Sequence, residues 1–462
     1  MSGPGVAPAD GIAFAAEAEV LIVGGGAAGM VAALSAREAG AETVVLERDP
    51  VPRGSTALSA GLIPAAGTRW QAALGIADSA ARFADDIRRK ARGEADETVL
   101  RAATAEAAPT LHWLADAHGL GFSLVDDFLY PGHAVHRMHG LPSRSGSELI
   151  DRLRAAAESS GTTLLTEAAA ATLFVGGDGA VRGVGVVRPG GAEERVGCAA
   201  LVLACNGYGG NRALVRRHIP DLAEALWFGH DGNRGEAVLW GEALGAGLRH
   251  LSGHQGHGSV AHPHGILITW AVMMQGGIQV NASGERFSNE TDGYSEQAAR
   301  VLAQPGGIAW DVFDERIAAI ARRFEDFRAA EARGAVLSAE TEAALAAAMR
   351  VPAPALSASL AGRVGIDRFG RDWTGVPPLA PPYRAVRVTG ALFHTQGGLA
   401  VGPDARVLRR DGRAFPNLFA AGGAAVGVSG PTAAGYLSGN GLLTAVALGR
   451  IAGRAAAALA RR

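Results

Sequence analysis

A short apolar run, Glu19 to Val23 (EVLIV), passes at once into Gly24-Gly25-Gly26-Ala27-Ala28-Gly29. Such a run suits a strand buried on both faces of a parallel sheet, and Met30 to Ala39, which follow, are good helix formers ending at Gly40. Thr43 to Leu46 (TVVL) reads as the next strand and terminates in Glu47. Together these make one βαβ unit whose first turn carries G-x-G-x-x-G at Gly24, Gly26 and Gly29. The first glycine permits the tight turn, the second lets a pyrophosphate approach the backbone, and the third lets helix and strand pack closely. The Glu47 carboxylate can accept from a ribose hydroxyl. An α/β chain that binds a dinucleotide is expected.

Composition narrows the partners. The chain has 462 residues, enough for two or three domains or one large domain with an insertion. A net charge of −2, with no basic stripe, excludes a nucleic-acid binder. No stretch approaches the roughly 18 unbroken apolar residues of a transmembrane segment. Lys90, the single lysine, lies in a charged helical stretch with Asp85, Asp86, Arg88 and Arg89 that reads as solvated, which disfavours Schiff-base chemistry. Cys198 and Cys205 form no C-x-x-C, so zinc clusters, attached haem and a disulfide framework are not expected. Redox chemistry then needs a non-thiol cofactor. The histidines His254, His257, His262 and His264 match no zinc spacing, and no metal is expected. Residues 1–18 lack the basic and apolar regions of a secretory signal and read as a frayed leader in a cytoplasmic protein.

Further along, Ala199 to Ala204 (AALVLA) reads as a buried strand ending in a glycine-rich turn. Between about Gly253 and Pro382 the grammar changes: Asp314 to Ala332 has helical periodicity, and Ser338 is placed to cap a helix with Glu340 and Glu342 in its first turn. Pro377 to Pro382 reads as a crossing back, Leu418 to Gly423 as a return of strand and glycine turn, and Leu442 to Ala460 as a closing Ala-rich helix. A cap inserted into a nucleotide-binding domain fits this order.

After the Glu47 strand, Arg53 to Gly61 (RGSTALSAG) supplies small hydroxyl residues at a tight turn, where they can meet a pyrophosphate and a flavin edge. Here the sequence resembles the flavoprotein superfamily of fumarate reductases, succinate dehydrogenases and 3-ketosteroid Δ1-dehydrogenases. The resemblance runs through LVLACNGYGGN (Leu201 to Asn211), His230 to Ala246, Thr269 to Glu290, PPYRAV (Pro381 to Val386), HTQGGL (His394 to Leu399), NLFAAGG (Asn417 to Gly423) and the Ser438 to Leu443 turn. It implies FAD, an α/β Rossmann-type FAD-binding domain at 1–251 and 390–462, and an inserted α+β capping domain at 252–389, with the active site where the two meet. Carried over to this sequence, the cofactor-binding residues are Gly24, Gly26, Ala28, Gly29, Glu47, Arg48, Ser55, Thr56, Ala60, Gly61, Ala204, Gly207, Gly422, Asn440 and Leu442. Residues 53–61 contain no histidine to tether the ring, so noncovalent FAD is expected.

The departures decide the chemistry. His394, Thr395, Thr269 and His257 fall on the fumarate reductase pattern, but the glutamate after the threonine is Trp270, which reads as an apolar wall. The family's proton-delivering arginine lands on Tyr294 and its second arginine on Tyr436. Phenols cannot form bidentate ion pairs with carboxylates, so a dicarboxylate substrate becomes doubtful. A tyrosine at position 294 looks like the ketosteroid dehydrogenases, whose catalytic base is a tyrosine in that cap segment; Tyr436 lies near the place of a second one. Arg384 is either a residual anion anchor or a surface ion-pair partner. The expected activity is oxidoreduction of a CH–CH bond α,β to a carbonyl, as dehydrogenase or ene-reductase. Hydride is exchanged with flavin N5 and a proton with Tyr294, while Tyr436 and His394 polarise the carbonyl. The alternatives are a fumarate-, urocanate- or tricarballylate-type carboxylate reductase or dehydrogenase, and a flavin-stabilised non-catalytic partner subunit. A single dinucleotide fingerprint and the lack of haem or iron-sulfur motifs point to an external electron carrier or acceptor.

Overall fold

The computed structural model describes residues 4–461. It divides into two units, one of Met1–Leu214, Gly229–His254 and His394–Arg462, the other of Val215–Phe228 and Gln255–Phe393.

The first unit is built on a sheet whose parallel centre is Ala16–Val23, flanked by Thr43–Leu46 and by Glu193–Leu203. Ala414–Ala420 extends it in parallel on one side and Thr163–Leu165 on the other. The inner halves of the parallel strands are apolar because both faces are covered there: Val20, Leu21, Ile22 and Leu201, Val202, Leu203 are all fully buried. The first helix, Ala27–Glu38, and the last, Asn440–Ala460, pack on each other so closely that a Cβ on Gly449 would stand 2.6 Å from the Ala28 carbonyl oxygen. The last helix has the length and mean hydropathy (1.4) of a membrane-crossing helix, yet 61% of that window is buried inside the protein. Its apolarity is that of a core helix.

Three expectations for this unit need correction. The expected leader is not frayed over residues 5–18, while residues 1–3 lie outside the described residues: Gly5–Pro8 pairs in parallel with Ala169–Val175, the Ala15 amide donates to the Arg195 carbonyl, and the central strand already begins at Ala16. The partners lie far downstream, so nothing local announces this strand. The closing helix starts at Asn440, two residues before Leu442. Asp86 is not solvated: it is buried, and it accepts from Arg137 at 2.6 Å, while Arg137 also donates to Asp78 at 2.7 Å.

The second unit centres on a mixed sheet with strand order Ile266–Leu267, His254–Ala261, Tyr383–Thr395, Ile308–Asp314, Ile278–Val280. Pro377 to Pro382 leads into the long strand Tyr383–Thr395. The stretch from Asp314 to Ala332 is two helices, Glu315–Ala321 and Glu325–Ala332, with Asp314 capping the first through its carboxylate and Phe324 breaking the second off in an extended conformation. Ser338 is not a cap. It lies in the strand Val336–Ala339 opposite Arg384, and Thr341 caps the helix Glu342–Met349, accepting from Ala344 N at 3.2 Å. Val336-Leu337-Ser338-Ala339 has no alternating pattern of its own, and the partner strand decides the matter.

Candidate active site

In the first unit the glycine turn has the geometry its residues require. Gly24 has φ +107°, and a Cβ there would stand 2.5 Å from the Ala204 carbonyl oxygen; a Cβ on Gly29 would overlap the Gly24 carbonyl. Gly26 starts the first helix with no side-chain cap on itself and no acid in the first turn, and Thr56 Oγ1 accepts from Ala27 N at 3.0 Å. The buried Glu47 carboxylate accepts from Gly25 N at 2.8 Å and from Asp49 N at 2.9 Å. Arg48 is held to Glu236 at 2.5 Å. Ser55 Oγ accepts from two amides, Asn206 Nδ2 at 2.9 Å and Asn233 Nδ2 at 2.8 Å. Gly61 leaves no room for a side chain, since its Cβ would stand 2.5 Å from the Ser145 carbonyl, whereas Ala60 is exposed. Any side chain on Gly207 would overlap Thr395 Oγ1, which accepts from Tyr208 N at 3.3 Å. Gly422, at φ +60°, lets that turn lie against Ala28, and Leu442 packs partly buried on the core.

The same unit holds His394 and Tyr436. His394 Nδ1 lies 2.7 Å from Gln396 Nε2. Burial pushes its imidazole down to about 4, the Thr395 carbonyl opposing, so it is neutral at pH 7. Burial pushes the Tyr436 phenol up to about 12, partly offset by the backbone amides of Gly439 and Gly441 at the start of the last helix. Tyr436 therefore stays a phenol and its O–H remains a donor.

The second unit brings His257, Trp270 and Tyr294 into one aromatic cluster. The His257 ring stacks on Tyr294 with centroids 5.1 Å apart and on Phe393 at 5.4 Å, and Phe393 stacks in turn on Phe228 at 4.7 Å. Trp270 meets His257 edge-on at 5.5 Å. His257 Nδ1 accepts from Ser259 N at 3.1 Å, and burial alone pushes the ring down to about 3. It is a neutral neighbour for Tyr294. Tyr294 opens the helix Tyr294–Leu302 behind Gly293, whose φ of +144° few side chains would allow. Thr269 Oγ1 accepts from Ala271 N at 3.4 Å, next to Trp270. Arg384 does not join this cluster: it donates to Glu315 at 2.6 Å, and Glu315 also pairs with Arg322.

Residues 19–442 match the family model described as an FAD binding domain. This chain belongs to that flavoprotein family. Among its relatives, a probable fumarate reductase of Shewanella frigidimarina is 31% identical over 95% of the chain and 74% of its own length. The open conformation of a flavocytochrome c3 fumarate reductase superposes with a TM-score of 0.83 at 30% identity, covering 97% of this chain and 79% of that one. A 3-ketosteroid-Δ4-(5α)-dehydrogenase of Rhodococcus jostii RHA1, solved with 4-androstene-3,17-dione, gives 0.77 at 25% identity, covering 98% and 99%. The flavoprotein is thus an FAD-binding oxidoreductase acting on CH–CH bonds, with the fold of both groups.

The residues present fit FAD. Both helix N-termini that would receive it lack a side-chain cap from the N-cap residue, and at the second one Asn440 Oδ1 is buried with no hydrogen-bond partner. Free backbone N–H groups at such ends favour an anion or a partly negative ring edge, and the Asn440 oxygen, an acceptor, would take a ring N–H. Sequence reasoning on this flavoprotein missed Asn233, Gln396, Ser429 and the stacked Phe393 and Phe228. Gln396 and Phe393 flank the recognised His394-Thr395 pair, a cue that was present; Asn233 reaches Ser55 across 178 residues, and no local pattern reveals that.

Proposed function

We propose that this flavoprotein reduces, or in the reverse direction forms, a C=C bond conjugated to a carbonyl group, with Tyr294 as the proton-transfer residue. Bound FAD would supply hydride exchange at N5. His394 and Tyr436, both neutral at pH 7, donate hydrogen bonds to the carbonyl oxygen and stabilise the charge that builds there. The observation that carries the reading is the stacking of Tyr294 on a His257 that burial keeps uncharged. A phenol placed there can give the proton in ene-reduction or take it back in dehydrogenation. Cofactor binding is assigned to the first unit and a share of substrate recognition to the second.

FAD attachment is proposed to be noncovalent. Residues 53–61 offer no histidine, and burial pushes the Cys198 and Cys205 thiols up to about 12, so neither is a ready nucleophile. Electrons are proposed to come from a separate carrier.

A second reading, reduction of an unsaturated carboxylate, is favoured by the similarity to a probable fumarate reductase and by His394, Thr395 and Thr269. Its weakness is the lack of an assigned cationic anchor, since Arg384 is engaged by Glu315. Anaerobically reduced enzyme mixed with cyclic enones, fumarate and urocanate separates the two. Reoxidation by an enone, lost in Tyr294→Phe while the flavin spectrum is unchanged, is the expected result. Reoxidation by the acids alone selects the second reading, and a nearly wild-type rate in Tyr294→Phe removes Tyr294 from the chemistry.

A further inference from the structure

Behind His394 runs a buried chain of polar groups. Asn440 Nδ2 donates to Ser429 Oγ at 2.9 Å, Ser429 Oγ donates to Gln396 Oε1 at 2.9 Å, and Gln396 Nε2 lies 2.7 Å from His394 Nδ1. Asn440, Ser429 and Gln396 are 0%, 1% and 3% exposed, so water does not compete for these bonds. A hydroxyl that accepts on one side donates on the other, and a primary amide presents NH2 at one end and oxygen at the other. The chain must therefore run in a single sense from end to end. If it ran backwards, the Gln396 oxygen would face His394 and Nδ1 would carry the proton.

The last helix selects the sense. Asn440 is its first residue, and Gly439 before it provides no side-chain cap. The free amides of a first turn are partly positive, which favours leaving an acceptor as the loose end of the chain there. In the structure that loose end is Asn440 Oδ1, buried without a partner among the described residues. An NH2 in its place would be electrostatically opposed.

We propose that Asn440, Ser429 and Gln396 lock His394 as the neutral Nε2–H tautomer, making it an obligate hydrogen-bond donor to an oxygen acceptor on the substrate. Gln396 is a positioning residue: it acts through His394. With Nδ1 held as an acceptor, Nε2 carries the proton, so His394 cannot serve as a general base and the proton for reduction must come from elsewhere. A wrong histidine tautomer is costly where a ring has a fixed task in catalysis. The identity of the acceptor as a substrate carbonyl rests on the function proposed above. The tautomer does not.

Long-range ¹H–¹⁵N spectra of the FAD-loaded protein with ¹⁵N-histidine, the His394 signals identified by their loss in His394→Asn, report the two nitrogens separately. At pH 7 an unprotonated Nδ1 and a protonated Nε2 are expected. In Gln396→Glu the carboxylate should draw a proton onto Nδ1, with loss of the unprotonated-nitrogen signal. Ser429→Ala, which lets the Gln396 amide turn, should shift Nδ1 towards an averaged position. A wild-type His394 with Nδ1–H, or an imidazolium at pH 7, overturns the proposal; so does a Gln396→Glu spectrum identical to wild type. Should Gln396→Glu fail to fold, the wild-type spectrum alone decides. An Nε2–H tautomer in a protein that no carbonyl compound reoxidises would leave the lock standing and remove the proposed substrate.

Discussion

Ser55 takes hydrogen bonds from Asn206 and Asn233 together, so both of its lone pairs are occupied and its own proton can only be donated outward. It stands in the turn that follows Glu47, where a pyrophosphate is expected. Ser55→Ala removes that donor and strands two amide NH2 groups, each such loss costing about 1–3 kcal/mol. FAD affinity should fall by roughly tenfold or more in fluorescence titrations of the apoprotein, with the far-UV spectrum unchanged; an unaltered Kd would show that Ser55 does not face the cofactor. At this scale the glycine fingerprint and Glu47 were legible because their chemistry is local to one βαβ unit. Tyr294, Tyr436 and His394 were legible only through resemblance. Asn233 and Ser429 were not, because it is the fold and not the spacing that brings them to Ser55 and Gln396.

The crossing of the first and last helices depends on small residues. Cβ atoms on Gly449 and Gly453 would run into the carbonyl oxygens of Ala28 and Ala32, so the two backbones approach as closely as glycine permits. Ala28 lies in the same turn that begins the dinucleotide fingerprint, so separating the helices should also disturb the cofactor site. Gly453→Ala adds one methyl group where there is no space, an overpacking that costs about 1–3 kcal/mol. A lower Tm and a purified protein depleted in FAD are the expected outcomes, and wild-type values of both would show that the helices can part without consequence. Elements rich in good helix formers were readable, the two core helices above all. Elements that exist because of a partner were not: Gly5–Pro8 depends on Ala169–Val175, and Val336–Ala339 on Tyr383–Val386. Their own residues fit loop or helix cap equally well.

Across the whole molecule, buried imidazoles set the response to acid. His133, His139 and His394 are pushed down to about 4 and His257 to about 3, with burial the largest cause in each. In an unfolded chain they return to about 6.5. Between pH 4 and 6.5 the unfolded state therefore binds more protons, and stability falls as the pH drops, by up to about 1.4 kcal/mol per pH unit for each proton. Asp311 works the other way. It is fully buried against Ser259 and Gln279, and burial raises it to about 7. Its protonated form belongs to the fold, so the stability it lends is complete below about 4 and lost as the pH rises through 7. His257 and Asp311 share the second unit and oppose each other there, whereas His133, His139 and His394 all belong to the first. Calorimetric scans from pH 7.5 to 5 should show the first unit's transition, followed by flavin release, moving to lower temperature more than the second's. Asp311→Asn keeps the shape and can still bond to Ser259 and Gln279, but removes the opposing titration. It should steepen the acid loss of the second unit, or of the single transition if the units melt together. A pH slope unchanged by Asp311→Asn would mean that Asp311 is already ionised in the folded protein and that the Ser259–Asp311–Gln279 group is held as a charged site.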